Sequence, residues 1–119
     1  MKSILCISRH SPYGNALARE ALEAVLAAAA FEQNIALLLM DDGVWQLKDQ
    51  QQPLAGIQKS VARNLSALEM FGVETVYAHQ PSAHQRGLSA QAICIDTVQW
   101  LTDDQVRQLI SQHDHLLSF

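Results

Sequence analysis

Ile35-Ala36-Leu37-Leu38-Leu39-Met40 is an unbroken apolar run, stopped at once by Asp41-Asp42-Gly43. A strand with one wet face alternates apolar and polar residues, so a run without polar positions predicts a strand covered on both faces, as in a parallel sheet. Upstream, Ile4 to Ser8 is a second short apolar run, bounded by Ser11-Pro12-Tyr13-Gly14, and predicts a buried strand followed by a loop. Between the two, Asn15 to about Gln33 is rich in Ala, Leu and Glu and has no internal Gly or Pro. Leu17, Ala21, Ala24, Val25 and Ala28 recur there at helical spacing and give one buried face.

Downstream, Val44 to Leu47 predicts a turn or short helical segment, and the Gln-rich stretch Lys48 to Pro53 an exposed loop. Gly56 to Phe71 predicts a second helix, with Ile57, Val61, Leu65 and Leu68 on one stripe and Gly72 at its left-handed cap. Glu74 to Ala78 predicts a third strand. Pro81 to Gly87 reads as a loop with at most a helical turn, Ala92 to Ile95 as a fourth strand, and Thr97 to Leu101 as loop or short helix. Thr102-Asp103-Asp104-Gln105 is a helix start: Thr102 caps, Gln105 stands three residues on, and the acids suit the positive dipole end. Val106, Leu109 and Ile110 form the buried face of that helix, and Leu116 to Phe119 predicts a terminal strand. Alternating strands and helices give an α/β fold. The expectation is one domain over residues 1–119, a three-layer α/β/α arrangement with a mainly parallel, about five-stranded sheet.

Composition narrows the function. The 119 residues are 49% hydrophobic and 17% charged, with 8 Lys+Arg against 12 Asp+Glu and a net charge of −4. No basic surplus exists to hold a phosphate backbone or an anionic membrane, so direct nucleic-acid binding and membrane binding are disfavoured. The apolar run after Met1-Lys2-Ser3 is too short for a signal core, and Ala24 to Phe31 is far below the roughly 20 residues that cross a bilayer. A cytoplasmic protein is expected. Its two cysteines, Cys6 and Cys94, fall in predicted strands and read as free buried thiols. No CxxC pair or dinucleotide or P-loop glycine pattern occurs, and no metal or cofactor is implied.

Ligands of open α/β sheets bind outside the carboxyl ends of strands. The residues there are Arg9 and His10, Asp41 and Asp42, His79, and Asp96. Such a set could hold a metal or run acid–base chemistry in a small standalone enzyme; the same residue types also cap helices and close turns, which is their default role. A third reading is a sulfur carrier working through Cys94 or Cys6, of which Cys94 lies closer to a strand end. His113-Asp114-His115 reads as surface decoration. Trp45, Trp100 and Phe119 are candidates for subunit contacts, because large aromatics are enriched in interface cores.

Met40-Asp41-Asp42-Gly43-Val44-Trp45-Gln46-Leu47 resembles the TusC/DsrF branch of the DsrE/DsrF/DsrH-like sulfur-relay proteins, whose pattern there is an apolar strand, then Asp-Gly-Val-aromatic-Gln-Leu. Lys2 and Ile4, Pro12 and Gly14, Arg19-Glu20, Phe71-Gly72, Arg86-Gly87-Leu88, and Asp114, Leu117 and Phe119 match the family in order along the whole chain. The resemblance implies an accessory subunit of a TusBCD-type heterohexamer, two copies each of this chain and of TusB-like and TusD-like partners. Such a complex passes persulfide sulfur from a TusA-like donor to a TusE-like acceptor, towards 2-thiolation of tRNA wobble uridine. A related DsrEFH-type complex serves sulfur oxidation instead. In the family the working thiol lies on the TusD/DsrE subunit, at the end of the third strand, eight residues before the glycine of an Arg-Gly pair. The matching position here is His79, and an imidazole cannot carry a persulfide. The resemblance therefore implies no catalytic residue in this chain, the carrier cysteine being on a partner, with His79 beside a partner's thiol as a possible helper.

Overall fold

A computed structural model describes residues 2–12, 16–48, 64–88, 95 and 97–119. Five strands form one all-parallel sheet: β1 (Ser3–Ser8), β2 (Asn34–Leu39), β3 (Val76–His79), β4 (Val98–Leu101) and β5 (His115–Ser118), in the spatial order β4-β3-β2-β1-β5. Helix α1 (Leu17–Ala30) joins β1 to β2. A 3-10 helix (Asp41–Leu47) leaves β2, and helical residues 64–67 run into a second 3-10 turn, Leu68–Phe71, ahead of β3. Helix α2 (Gln80–Gln85) follows β3, and α3 (Asp103–Ser111) carries the chain from β4 across to β5.

The alternation of side chains along each strand sorts the core into two clusters. Cys6, Ile35, Leu37, Leu39, Val76 and Ala78 face α1 and the segment 64–71, packing on Ala21, Leu22, Val25, Leu65 and Leu68. Leu5, Ile7, Leu38 and Leu101 face the other way, onto Val106 and Leu109 of α3. Leu37, Leu38 and Leu39 are all fully buried, so consecutive residues of β2 fill opposite layers. That is why the run has no polar position. Burying each such leucine stabilises the fold by roughly 1.5–3 kcal/mol.

Several local expectations are met. Thr102 Oγ1 accepts from the Gln105 backbone and the Gln105 side chain accepts from the Thr102 N–H, a full capping box at α3. Gly72 closes the helical segment at φ 90°, which only glycine adopts cheaply. Two readings are corrected. Thr97–Leu101, read as loop or short helix, contains β4, whose Val98 and Trp100 pack on one layer and Leu101 on the other. Pro81–Gly87, read as a loop with room for a helical turn, is mostly the helix α2: its Pro81 stands in the first turn, where no amide donor is needed. The expected strand at 92–95 falls almost wholly outside the described residues, as do Cys94 and Asp96. No helix among the described residues is long and apolar enough to cross a membrane.

Candidate functional site

Because all strands are parallel, their carboxyl ends meet at one edge, and the loops leaving them interlock there. β1 ends at Ser8, followed by Arg9 and His10; β2 ends at Leu39, followed by Met40 and Asp41. The 3-10 helix after β2 docks on the end of β1. Gly43 lies so close that a Cβ there would sit 2.1 Å from the Ser8 carbonyl oxygen. Buried Gln46 donates through Nε2 to Ser8 Oγ (2.8 Å) and to the His10 carbonyl (3.0 Å). Val44 and Leu47 fill the core beneath. The Asp-Gly-Val-aromatic-Gln-Leu pattern is thus a clamp: glycine for approach, Val and Leu for the core, Gln to hold the neighbouring loop.

Asp41 sits at φ 51°, a left-handed conformation that Asp tolerates better than most residues. Its N–H donates to Ser82 Oγ (2.9 Å) and its carboxylate accepts from Arg9 Nε (3.1 Å). Asp42 accepts from Arg86 Nε at 2.9 Å, and Arg86 also donates to the Ser82 carbonyl. His79, at the end of β3, faces α3. Its Nδ1 meets Ser82 Oγ at 2.6 Å and its Nε2 meets Asp103 Oδ1 at 2.5 Å. With the Ser82 hydroxyl already accepting from Asp41, an Nε2–H tautomer satisfies every group: Ser82 donates to Nδ1 and the imidazole donates to Asp103. The His79 side chain is 12% exposed and that of Asp103 67%. One hydrogen-bonded chain, Arg9–Asp41–Ser82–His79–Asp103, therefore runs from the end of β1 to the start of α3.

Of the strand-end residues expected from the sequence, Arg9, His10, Asp41, Asp42 and His79 share this edge, but the two aspartates and His79 are each tied to a different partner. Asp41 goes to Arg9, Asp42 to Arg86 and His79 to Asp103. Among the described residues no three His, Cys, Asp or Glu side chains come together in a way that could hold a metal ion. Ser82 and Arg86 carry no strand-end signal, since their segment read as a loop. Asp103 showed only as a helix-start acid. The Arg-Gly-Leu match was the one hint at Arg86.

Cys6 is fully buried in β1, and burial pushes its thiol up to about 12. Of the three aromatics expected at subunit contacts, Trp100 and Phe119 pack partly on the α1-side core. Trp45 is half-buried, with the Lys48 ammonium 5.6 Å from its ring centre. Among the described residues, the large apolar side chains most open to solvent are others: Phe31, Met70, Phe71, Leu116 and Leu117. In the His113-Asp114-His115 segment, Asp114 Oδ2 accepts from the Ser3 N–H at 2.8 Å, fastening β5 to β1. That bond, with the Ser3 hydroxyl, holds its carboxyl below the usual range.

An all-parallel sheet of this order, with loops clamped at its carboxyl edge, defines a compact class of α/β proteins, and comparison with known proteins places the chain within it. The model of the DsrE/DsrF-like family matches residues 2–119, and the chain belongs to that family. It is 38% identical over 117 residues to a protein TusC homolog of Pseudomonas aeruginosa, covering 98% of each chain. It is 34% identical over 119 residues to a protein TusC homolog of Vibrio parahaemolyticus, covering 100% of each. In structure it is similar to the ychN protein of E. coli, with a TM-score of 0.87 and 26% identity over 100% of both chains. The relatives that it matches over its full length carry the TusC name.

Proposed function

We propose that this chain, a single domain over residues 1–119, is a non-catalytic subunit of a TusBCD-type complex that passes persulfide sulfur towards 2-thiolation of tRNA wobble uridine. The observation that carries the non-catalytic part is at residue 79. Where the resemblance puts a persulfide cysteine in the sulfur-carrying subunit, this chain has an imidazole engaged through both nitrogens. Cys6 offers no substitute, being buried and far from thiolate formation at neutral pH. The names of its relatives favour the Tus-type relay over sulfur oxidation.

The complex is a cytoplasmic heterohexamer with two copies each of this chain and of TusB-like and TusD-like partners, served by a TusA-like donor and a TusE-like acceptor. The net charge of −4 suits protein partners and leaves tRNA to a downstream enzyme. Trp45, Trp100 and Phe119 remain contact candidates, and Phe31, Met70, Phe71, Leu116 and Leu117 join them as exposed apolar side chains. His79 assists a partner's thiol only if Asp103 gives up its Nε2, since neither ring nitrogen is otherwise available. Native mass spectrometry of the chain isolated from its own cells tests the assembly. Two similarly sized partners, at two copies of each chain, are expected; a lone monomer or homodimer contradicts the reading.

A further inference from the structure

We propose that β5 is an open sheet edge that pairs antiparallel with β5 of a second copy of this chain, about a two-fold axis at Leu117. β5 ends the sheet, bonded to β1 on one side and to no described strand on the other. All four of its residues are exposed, including Leu116 (48%) and Leu117 (41%). Leu116 stands beside Leu5 and Leu117 beside Cys6, so the two leucines lie on opposite faces of the sheet. A helix docks on one face; leucines on both faces of an open edge suit another strand. Open edges are ordinarily guarded by a charge, a proline or a bulge. His115-Leu116-Leu117-Ser118 has no Asp, Glu, Lys, Arg or Pro, and its register with β1 runs without a bulge.

The Phe119 N–H donates to the Ile7 carbonyl at 2.9 Å, and the Phe119 carbonyl accepts from the Arg9 N–H at 2.8 Å. Backbone groups alternate sides along a strand, so Leu117 and His115 also turn theirs to β1, and Leu116 and Ser118 turn theirs outward. With the two strands antiparallel about Leu117, Leu116 of each copy meets Ser118 of the other as a hydrogen-bonded pair, which makes four hydrogen bonds in all. Leu117 meets Leu117 as the closer, non-hydrogen-bonded pair, and His115 meets Phe119, so no like charges oppose one another. This self-matching register is what a two-fold interface requires, and it selects a second copy over an unrelated strand. Four residues a side is well below a stand-alone interface, so the pair belongs inside a larger assembly. The inference rests on the proposed complex in one respect, its two copies of this chain.

The test replaces the wild type with Leu117→Cys in its own cells, oxidises mildly before lysis and identifies linked peptides by mass. A disulfide joining position 117 of two copies is expected, at least about 10-fold more abundant than any self-link from Leu116→Cys, because only the facing non-hydrogen-bonded positions come within disulfide reach. In the wild-type complex the Leu116 and Ser118 amides should exchange about 10-fold or more slowly than in Leu117→Lys, which sets two like charges face to face, while β2 stays protected in both. A link from position 117 to a different chain, no link there, or equally fast exchange at Leu116 and Ser118 in both proteins would overturn the proposal. Two copies per complex without the link would overturn the edge pairing and leave the relay reading standing. A single copy per complex, counted by native mass spectrometry, would overturn both.

Discussion

The Cα of Gly43 rests against the Ser8 carbonyl, at a distance where a methyl group would lie 2.1 Å from the oxygen. The obstacle is backbone at the end of a buried central strand, so no side-chain rotation relieves it. Gly43→Ala is therefore expected to destabilise the fold by about 3 kcal/mol or more, at or above the upper end of ordinary overpacking. Urea unfolding measures this directly; a loss below about 1 kcal/mol would mean that the clamp is looser than described.

His79 and Asp103 should separate cleanly in stability. Replacing His79 with Ala leaves the buried Ser82 hydroxyl short of a partner, which costs about 1–3 kcal/mol. Asp103→Asn keeps an acceptor for the Nε2–H and sits on an exposed side chain, so a change under about 1 kcal/mol is expected. Equal and large losses in both variants would show the pair acting as a buried ion pair.

Cys6 makes the chain sensitive to alkali. Its folded pKa is about 12 against 9.0 for an ordinary thiol. The unfolded chain loses this proton first, so stability is untouched below about pH 9 and declines between there and about pH 12. Unfolding midpoints of the wild type and Cys6→Ala over that window should converge as pH rises. Native thiol labelling at Cys6 should be slow near neutral pH and become fast on unfolding.

At the acid end, Asp114 works in the opposite sense. Its carboxyl is depressed from 3.8, first by the Ser3 N–H, so its contribution is complete above that value and is lost as pH falls through the lower folded one. The β1–β5 pairing is where this should show. Protection factors at Ser3 and the β5 amides, which remove the intrinsic pH dependence of exchange, should fall in acid, and Asp114→Asn should reduce that fall. Protection at β5 insensitive to both acid and the substitution would contradict this.

Much of the fold was legible because burial leaves a local trace. The six-residue run 35–40 has no polar position because Leu38 and its neighbours Leu37 and Leu39 enter opposite layers. The capping box at Thr102 and the glycine stop at Gly72 are decided by a few adjacent residues. β4 was not legible: four residues with Gln99 exposed in the middle carry too short an alternation to outweigh a loop. α2 was hidden by its six-residue length and its proline. The site was half legible. Arg9, Asp41, Asp42 and His79 announce themselves at strand ends, but their partners Ser82, Arg86 and Asp103 lie 24 to 44 residues from them or belong to α2. Only the folded chain brings those pairs together.

The central claim is that sulfur passes through the complex without resting on this chain. Intact-mass analysis of each subunit, after loading the assembled complex with a persulfide donor, tests it most directly. The account predicts one added sulfur atom on a partner subunit and none on this one, in wild type and in His79→Ala alike. A persulfide on this chain that disappears in Cys94→Ser or Cys6→Ser would contradict it and make the chain itself a carrier.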